Sequence, residues 1–390
     1  MKPYLPSVAT KGLWVRYGGQ PITSKQIEFA ARHYTVALLQ PEYTDVVARL
    51  KEINPAMTVL CYKCLSSTRN YETESPFTSG VSFAEAEKAE AEGQQWFARR
   101  LSGERIEWQG YPGHFQMNVW NPEYRRRWVK NICAELENSS FDGVLADNDI
   151  YGDYYGINVP IRDARSMDRF HKGLDLLIRD AGKALNARGK IIVPNIAESR
   201  MAPGKWKRHS AYGGGFEEVF LGWSATEFLN QTSALAQMKE MMEDFSAVEV
   251  ATSSGGVEKR PRLTLLRAST DGEDTHPNFM AALAALWVFS GGQWSALSAG
   301  SHDGHNGTPW LEELTWDLGA PIGHPQPVKG AWIRELEHGW AAINLTNHES
   351  GQISVPKELF AVEGTAPATV VLPPHGGVVY RTEDAGIALT

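Results

Sequence analysis

The chain has 390 residues, a formal net charge of −8 and a hydrophobic content of 42%. This size predicts one large domain with a smaller one, and the acidic balance argues against nucleic acid as a partner. No apolar run approaches the ~20 residues of a membrane span, and no secretory leader is visible at the start. We therefore expect a cytoplasmic protein with no membrane partner, and the sequence leaves homo-oligomerisation open.

Strand and helix patterns alternate along the first four fifths of the chain. Eight strands alternating with helices predict an α/β fold of the (β/α)8 or TIM-barrel type. An open doubly wound sheet is the alternative, but the Gly-x-Gly-x-x-Gly turn and the Walker loop of such sheets are not found. The predicted strands cover residues 12–17, 34–39, 57–62, 141–146, 190–195, 215–220, 262–267 and 294–298, and helical patterns cover 24–33, 41–53, 82–100, 122–138, 167–187, 226–245 and 277–289.

The pattern changes near residue 318. A stretch rich in proline and glycine, from Pro321 to Pro327, is typical of a linker, and the segments beyond it show almost no helical periodicity. Short β-like runs separated by turn residues predict a small antiparallel β-sandwich. These runs cover residues 330–334, 340–344, 352–355, 369–372 and 377–380. We therefore expect a barrel domain over residues 1–320 and an all-β domain over residues 321–390.

The segment FDGVLADNDI at residues 141–150 is the strongest single indication of function. Its apolar first half predicts a buried parallel strand, and polarity begins abruptly at Asp147. Barrel enzymes keep catalytic groups at the carboxyl ends of such strands. A turn or helix-cap aspartate is the alternative interpretation, because such residues commonly follow strands.

A second acidic site follows the glycines at 213–215, where Glu217 and Glu218 lie in an aromatic strand. When Gly214 is aligned with Gly143, Glu218 and Asp147 each fall four residues past their glycine. Glycoside hydrolysis needs two such carboxyl groups, one to protonate the leaving oxygen and one to attack the anomeric carbon or activate water. A surface acidic pair is the alternative interpretation.

The neighbours of the two groups predict different roles. Asn148 and Asp149 beside Asp147 provide a polar setting in which a carboxylate stays ionised. Apolar neighbours should instead desolvate Glu218 and raise its pKa, which suits a general acid. Because Glu217 and Glu218 point to opposite faces of a strand, only one of them can meet Asp147, and the sequence does not decide which.

Other polar and aromatic residues fall near predicted strand ends, where they would contact a sugar. The loop from His302 to His305 could alternatively bind a metal ion, and Arg16 could alternatively serve a structural ion pair. We expect no metal or organic cofactor. The candidate substrate-binding residues are Asp149, Asn195, Arg16, Tyr17, Trp223, Trp294, His302, Asp303 and His305.

Several segments resemble the hypothetical glycosyl hydrolases numbered family 15, in which a barrel precedes a small β domain. The family is similar in layout to α-galactosidase-type barrels, and this resemblance implies that Asp147 is the nucleophile or base and Glu218 the acid, with Glu217 one residue away. Leu145 stands where those barrels carry a lysine, so the resemblance does not extend to α-galactosidase activity. The similar segments are FDGVLADN (141–148), WNPEYR (120–125), GGFEEVF (214–220), GWAAINL (339–345) and LPPHGGV (372–378).

The sequence thus predicts a glycoside hydrolase or transglycosidase acting on an oligosaccharide or glycoside. Two alternatives remain open: a non-catalytic barrel that binds a saccharide, and a metal-assisted hydrolase that uses His302 and His305.

Overall fold

The structure is a computed structural model that describes residues 11–18, 21–196, 198–242, 247–272, 276–290, 295–301, 309–383 and 385–387. The first half of the chain alternates strands with helices. Its elements are β1 (Leu13–Arg16), α1 (Ser24–His33), β2 (Val36–Leu39), α2 (Thr44–Ile53), β3 (Thr58–Cys64), β4 (Ser67–Arg69), α3 (Phe83–Ala91), β5 (His114–Gln116), α4 (Pro122–Glu137), β6 (Gly143–Asp147), α5 (Asp168–Asn186), β7 (Ile191–Pro194) and α6 (Lys205–His209).

The second half continues this alternation and then changes to short strands. It begins with β8 (Gly214–Phe220), α7 (Gln231–Met242), β9 (Ala247–Ala251), β10 (Val257–Pro261), β11 (Leu263–Ser269), α8 (Pro277–Ser290) and β12 (Ser295–Gly300). The strands that follow are β13 (Trp316–Asp317), β14 (Pro321–Val328), β15 (Ala331–Leu336), β16 (Gly339–Ile343), β17 (Ile353–Ser354), β18 (Phe360–Ala361), β19 (Gly364–Thr365), β20 (Thr369–Val370), β21 (Gly377–Arg381) and β22 (Gly386–Ile387).

Parallel strands form the centre of the molecule. They lie in two sheets, of order β1-β2-β3-β6-β7 and β12-β11-β8, and every pairing within them is parallel. Strands β1, β2, β3 and β7 are buried along their whole length, as apolar runs require. These eight strands match the eight predicted ones within two residues at each end. The parallel α/β prediction is therefore confirmed.

Isolated parallel bridges join the outer strands of the two sheets. Gly12 bridges to Leu297 beside β1 and β12, and Ile192 bridges to Gly213 beside β7 and β8. At the first of these junctions, the Leu297 amide donates to the Lys11 carbonyl at 2.7 Å. Because all these pairings are parallel, the carboxyl ends of the eight strands lie on the same side.

Strands β9 and β10 form an antiparallel hairpin that is not among the predicted strands. Val248 and Val250 belong to the same buried cluster as Leu13 and Leu263, which lie at the amino ends of β1 and β11. The alternate residue Glu249 is exposed. The hairpin therefore covers the amino ends of the parallel strands, on the side opposite their carboxyl ends.

The last part of the chain is antiparallel, as predicted. Its main sheet has the order β14-β15-β16-β21-β18-β19, and β17-β20 and β13-β22 form separate pairs. The predicted linker is wrong, because Pro321–Val328 forms an edge strand of this sheet. Proline is tolerated there since an edge strand leaves one side of its backbone unpaired. The sandwich arrangement stays a prediction.

Helix α8 packs between the parallel and antiparallel regions. It is apolar on nearly all sides, and such helices are buried all round. Its residues share one core cluster with Leu297 of β12 and with Ile343 and Val379 of the antiparallel sheet. The two regions therefore pack through a common core.

Local signals fix the helix starts. Thr23 and Ser82 form capping boxes for α1 and α3, and Asn121 caps α4 ahead of Pro122, as predicted. Helix α3 ends at Ala91 instead of continuing to residue 100. The chain turns there because Gly93 adopts a φ of 85°, which costs glycine little.

Candidate active site

Asp147 ends β6, and four hydrogen bonds hold its carboxylate. The Asn148 amide (2.8 Å) and Asn195 Nδ2 (2.9 Å) donate to Oδ1. Tyr62 Oη (2.6 Å) and Asn148 Nδ2 (2.9 Å) donate to Oδ2. Asn148 reaches both oxygens from a left-handed conformation, with φ 64°, that asparagine adopts more readily than most residues. The donors are all neutral, and together they match the acceptor capacity of an ionised carboxylate.

Asn195, which directly follows β7, joins Asp147 to Glu218. Its buried Nδ2 donates to Asp147 Oδ1 and to Glu218 Oε2, each at 2.9 Å. Since both oxygens lie 2.9 Å from one nitrogen, they are at most about 6 Å apart, which is within the range of glycosidase carboxyl pairs. The structure thus brings together three of the residues that the sequence singles out.

An irregularity in β8 precedes this contact. Strands β8 and β11 pair in register up to Glu217, and pairing resumes at Phe220 with one residue fewer passed on β11. This extra residue defines a β-bulge, a feature that re-aims side chains beside active sites. At the bulge, Arg267 Nε donates to the Glu218 carbonyl at 3.3 Å.

Glu217 lies on the other face of β8, toward helix α7. It is 0% exposed, and the Val219 amide donates to its Oε1 at 3.4 Å. Burial raises the pKa of Glu217 to about 7, although the Val219 amide, Arg200 and Gln237 act to lower it. The structure therefore places Glu218, and not Glu217, beside Asp147.

Three tyrosines surround the carboxyl pair. Burial, reinforced by the charge of Asp147, raises the pKa of Tyr17, Tyr62 and Tyr155 well above the ordinary value, and the charge of Glu218 adds to the effect at Tyr17 and Tyr155. Their hydroxyl groups therefore remain protonated near neutral pH. Tyr62 donates to Asp147, and Tyr155 Oη donates to Asn148 Oδ1 at 2.8 Å.

Arg69 links Tyr62 to a second group of side chains. Its Nη2 donates to Tyr62 Oη at 3.2 Å, and its guanidinium lies 5.6 Å from the centre of that ring. Arg69 also pairs with Glu72 at 3.3 Å and donates from Nε to His114 Nε2 at 3.3 Å. Burial, followed by the nearby Arg69 charge, lowers the pKa of His114 to about 4, so this imidazole is neutral near pH 7.

Asp149 differs from the expectation of a sugar contact. It is completely buried, with His209 Nδ1 2.5 Å from its Oδ2 and Lys205 Nζ 3.2 Å from its Oδ1. The other imidazole nitrogen of His209 contacts Asp175. Burial acts to raise the pKa of Asp149, but the charges of His209 and Lys205 lower it. Because both oxygens face cations inside the fold, Asp149 serves an ion-pair network and does not face a substrate.

The remaining candidates divide into three groups. Arg16 is buried and donates to the Gly18 carbonyl at 2.5 Å. Trp223, after β8, is 39% exposed, and the Arg200 guanidinium lies 5.7 Å from the centre of its ring. Four predicted residues lie outside the described residues: Trp294, His302, Asp303 and His305.

The sequence-based candidates lack several residues of this site, and two of them, Tyr62 and Asn148, donate directly to Asp147. Both lie at the carboxyl ends of predicted strands, Tyr62 at the end of the third and Asn148 after the fourth. Testing every polar residue at those positions would have found them. Arg69 and His114 gave no such signal, because they belong to β4 and β5, which the sequence analysis leaves in loops.

Within the described ranges, no cluster of three or more histidine, cysteine or acidic side chains could hold a metal ion. In the same part of the chain, none of the helices combines the length and apolar character needed to cross a membrane.

Two carboxyl groups linked at the carboxyl ends of parallel strands are compatible with glycoside hydrolysis. The profile of hypothetical glycosyl hydrolase family 15 matches residues 51–340, which include Asp147, Asn195 and Glu218. The chain belongs to this family, and the resemblance seen in the sequence is confirmed. It is therefore an enzyme of the glycosidase class with a carbohydrate substrate.

A comparison with curated proteins finds no match. A cycloalternan-degrading enzyme from Trueperella pyogenes is similar over 95% of this chain and 62% of its own, at 12% identity and a TM-score of 0.52. A family GH13_31 enzyme is similar over 96% of this chain and 98% of its own, at 12% identity and a TM-score of 0.51. At such identities the similarity concerns the fold alone.

Proposed function

We propose that the eight parallel strands close into a (β/α)8 barrel with the active site at its carboxyl side. The parallel bridges at both edges of the two sheets support closure. Hairpin β9–β10 packs on the amino ends of the strands and supports a barrel that is covered at that end. The barrel would occupy residues 1–320 and the antiparallel domain residues 321–390, joined through the core around α8.

We further propose that the enzyme is a retaining glycoside hydrolase with Asp147 as nucleophile and Glu218 as general acid. The observation that carries this proposal is the bridge from Asn195 Nδ2 to one oxygen of each carboxyl group, 2.9 Å on both sides. Retaining enzymes hold their carboxyl groups about 5–5.5 Å apart, whereas inverting enzymes need about 6.5–9.5 Å to admit water between them. The two oxygens bonded to Asn195 are at most about 6 Å apart, which is nearer to the separation in retaining enzymes, and we therefore favour retention.

The reaction then has two steps. In the first, an oxygen of Asp147 attacks the anomeric carbon, the bond to the leaving oxygen breaks, and Glu218 gives its proton to that oxygen. In the second, the Glu218 carboxylate takes a proton from water, whose oxygen attacks the anomeric carbon and releases Asp147. Each step leaves Asp147 and Glu218 ready for the next one, and a sugar hydroxyl in place of water would give transglycosylation.

The surrounding donors control the nucleophile. Four neutral donors stabilise the negative charge of Asp147. A cation would instead neutralise this charge. They also fill its acceptor sites, so one donor must be displaced when an oxygen attacks. Tyr62 and Asn195 donate to different oxygens of the carboxylate, and this fixes the plane in which the attacking oxygen is presented.

The first test is a screen of wild-type protein against aryl glycosides and oligosaccharides, followed by proton NMR of the initial product. We expect the first-formed anomer to match the substrate. Inversion would contradict the assignment of Asp147 as nucleophile, and cleavage of no substrate would favour a barrel that only binds saccharides.

The second test separates the acid from the nucleophile. Glu218→Gln should lose ordinary glycosides but retain dinitrophenyl glycosides, whose leaving group needs no proton. Glu217→Gln is the matched control, because it changes the adjacent residue on the other face of β8. If Glu217→Gln shows the leaving-group dependence and Glu218→Gln does not, the assignment of the acid is wrong.

A further inference from the structure

A strip of aromatic rings runs outward from the carboxyl pair. Tyr155 stacks on Trp108 with centres 4.1 Å apart, and Tyr111 meets the edge of Tyr155 at 5.6 Å. His114 lies 5.6 Å from Tyr111, and Tyr71 lies 5.7 Å from His114. We call these five residues the aromatic strip. Each ring is within contact range of the next, so the strip is one continuous surface.

The strip begins at the catalytic groups and becomes more exposed with distance. At its inner end, Tyr155 donates to Asn148 Oδ1, and Asn148 donates to Asp147. Trp108 is 4% exposed and forms the base, whereas Tyr111 is 39% and Tyr71 58% exposed. Large aromatic side chains are normally buried for much of their surface. An exposed series that leads into a buried site therefore indicates a ligand that extends out of that site.

The backbone under the strip is tightly held. Strands β4 and β5 pair Arg69 with His114, and Trp108 Nε1 donates to buried Gln116 Oε1 at 2.9 Å. The Gly113 amide donates to Glu107 Oε1 at 2.6 Å. These contacts fix the rings before a ligand arrives, which reduces the entropy cost of binding.

The strip is uncharged and has polar edges. The low pKa of His114 keeps its ring neutral near pH 7, and Tyr71 Oη lies 2.7 Å from His114 Nε2. A neutral ring face offers apolar surface to the C–H face of a pyranose, and tyrosine hydroxyls can bond to sugar hydroxyls. An acidic or basic partner would find little charge complementarity on these rings.

We propose that the aromatic strip binds the sugar units beyond the cleaved bond, so that the substrate is an oligosaccharide or polysaccharide and not a simple monosaccharide glycoside. This inference rests on the proposed function, because the strip shares Asn148 with the nucleophile. On this proposal, successive units of one chain contact Tyr155, Tyr111 and Tyr71.

The first experiment compares substrate lengths in Tyr71→Ala and Tyr111→Ala. The substrates are aryl glycosides and an oligosaccharide series, from disaccharide to hexasaccharide, of the sugar that the wild type cleaves. We expect kcat/KM to fall roughly three- to tenfold per ring removed on the longer chains, and to fall clearly less on aryl monoglycosides. Tyr71→Phe keeps the ring and should retain most of the long-chain activity that Tyr71→Ala loses.

Phe29→Ala is the control for loss of an exposed ring, because Phe29 on α1 is 41% exposed and packs against His33 and Trp310. Equal losses on short and long substrates, or no loss at any length, would overturn the proposal while leaving glycoside hydrolysis intact.

The second experiment does not depend on turnover. Wild type and the ring variants are run in affinity gels containing soluble starch, dextran, xylan or chitosan. We expect at least one polysaccharide to retard the wild type, and this retardation to disappear in the Tyr71→Ala, Tyr111→Ala double variant but to persist in Tyr71→Phe. If none of the four retards the wild type, or the double variant is retarded equally, the strip does not bind glycan chains.

Discussion

Two aspartates only two residues apart, Asp147 and Asp149, have opposite surroundings. Asp147 is partly exposed and receives hydrogen bonds from neutral amide and hydroxyl groups. Asp149 is completely buried against Lys205 and His209. Both are acidic groups beyond an apolar run, and the sequence suggested a role at the substrate for each.

Under the proposed mechanism, this difference separates a reactive carboxylate from a structural one. An ion pair holds the charge of Asp149 in place, and removing one partner would leave the others uncompensated inside the protein. Neutral donors stabilise Asp147 and, in the proposed mechanism, leave its charge available to attack an electrophilic carbon. The kind of partner, a neutral donor at Asp147 and a cation at Asp149, therefore separates the two aspartates better than their position after a strand does.

The largest effect that tests this comparison is that of Asp147→Asn on activity. Removing the proposed nucleophile should lower turnover by roughly 10³-fold or more on every substrate, including those with activated leaving groups. The melting temperature should change less than in an Asp149 variant, since no ion pair is broken. Steady-state kinetics and thermal unfolding measure the two quantities. A variant that kept activity on dinitrophenyl glycosides would show that another group is the nucleophile.

Asp149→Asn should have the reverse effect, a large loss of stability. Breaking a buried ion pair costs about 3–5 kcal/mol, and urea unfolding would measure the free energy of unfolding. Asp163→Asn is the control, because Asp163 is exposed and its φ of 63° suits asparagine. A loss no larger than that of the control would contradict the structural role.

The pH dependence of this loss follows from the directions of the pKa shifts. The pKa of Asp149 is lowered, so its contribution is present above its ordinary value and is lost as pH falls through the folded-state value. Burial acts to lower the pKa of His209, but Asp149 and Asp175 raise it, so its contribution is lost as pH rises through that raised value. The difference between wild type and Asp149→Asn should therefore be greatest between about pH 4 and pH 6.5, and smaller on both sides.

The sequence could predict the carboxyl pair because a physical reason underlies the glycine alignment. A Cβ on Gly143 would lie 2.0 Å from the Ile191 carbonyl oxygen, and one on Gly214 would lie 2.3 Å from that of Leu263. Both glycines let the next strand approach closely, so they occupy equivalent places in two parallel strands. Asp147 and Glu218 each lie four residues past these glycines, so both fall near the carboxyl ends of their strands.

The partners of Asp149 could not be predicted in the same way. Its cations come from α6, a helix of five residues that is too short to give a periodic pattern. Hairpin β9–β10 escaped prediction for a different reason, since Glu249, Glu258 and Lys259 make it resemble an exposed loop. Cellular location and oligomeric state stay predictions, because the described contacts concern a single chain.

Asn195→Ala removes the link between the two carboxyl groups. A hydrogen bond to a charged group is worth about 1.5–3 kcal/mol, so we expect kcat to fall roughly 10- to 100-fold with little change in KM. Asn347→Ala, an exposed asparagine in the antiparallel region, is the control. A rise in KM with kcat unchanged would indicate that Asn195 holds substrate instead.

Tyr62→Phe should have a smaller effect, because it removes one of four donors to Asp147. We expect kcat/KM to fall roughly tenfold. Tyr124→Phe is the matched control, since it removes a buried hydroxyl that donates to the Leu65 carbonyl at 2.9 Å and contacts no catalytic group. Equal rate losses in both variants would indicate a general packing effect and not control of the nucleophile.

The smallest effect on activity should come from Glu217→Gln, which tests the other acidic pair, Glu217 and Glu218. The pKa of Glu217 is raised by burial to about 7, against an ordinary value near 4.3. Between these values the folded protein binds a proton that the unfolded chain does not, so this group makes stability fall as pH rises. Glutamine removes that penalty because it carries no charge.

Glu217→Gln should therefore melt at a higher temperature than wild type at about pH 8, and the difference should shrink toward about pH 4.5. Glu92→Gln, an exposed glutamate, should show no such trend. A Glu217→Gln variant that is less stable than wild type at about pH 8 would show that the ionised carboxylate is satisfied in the fold.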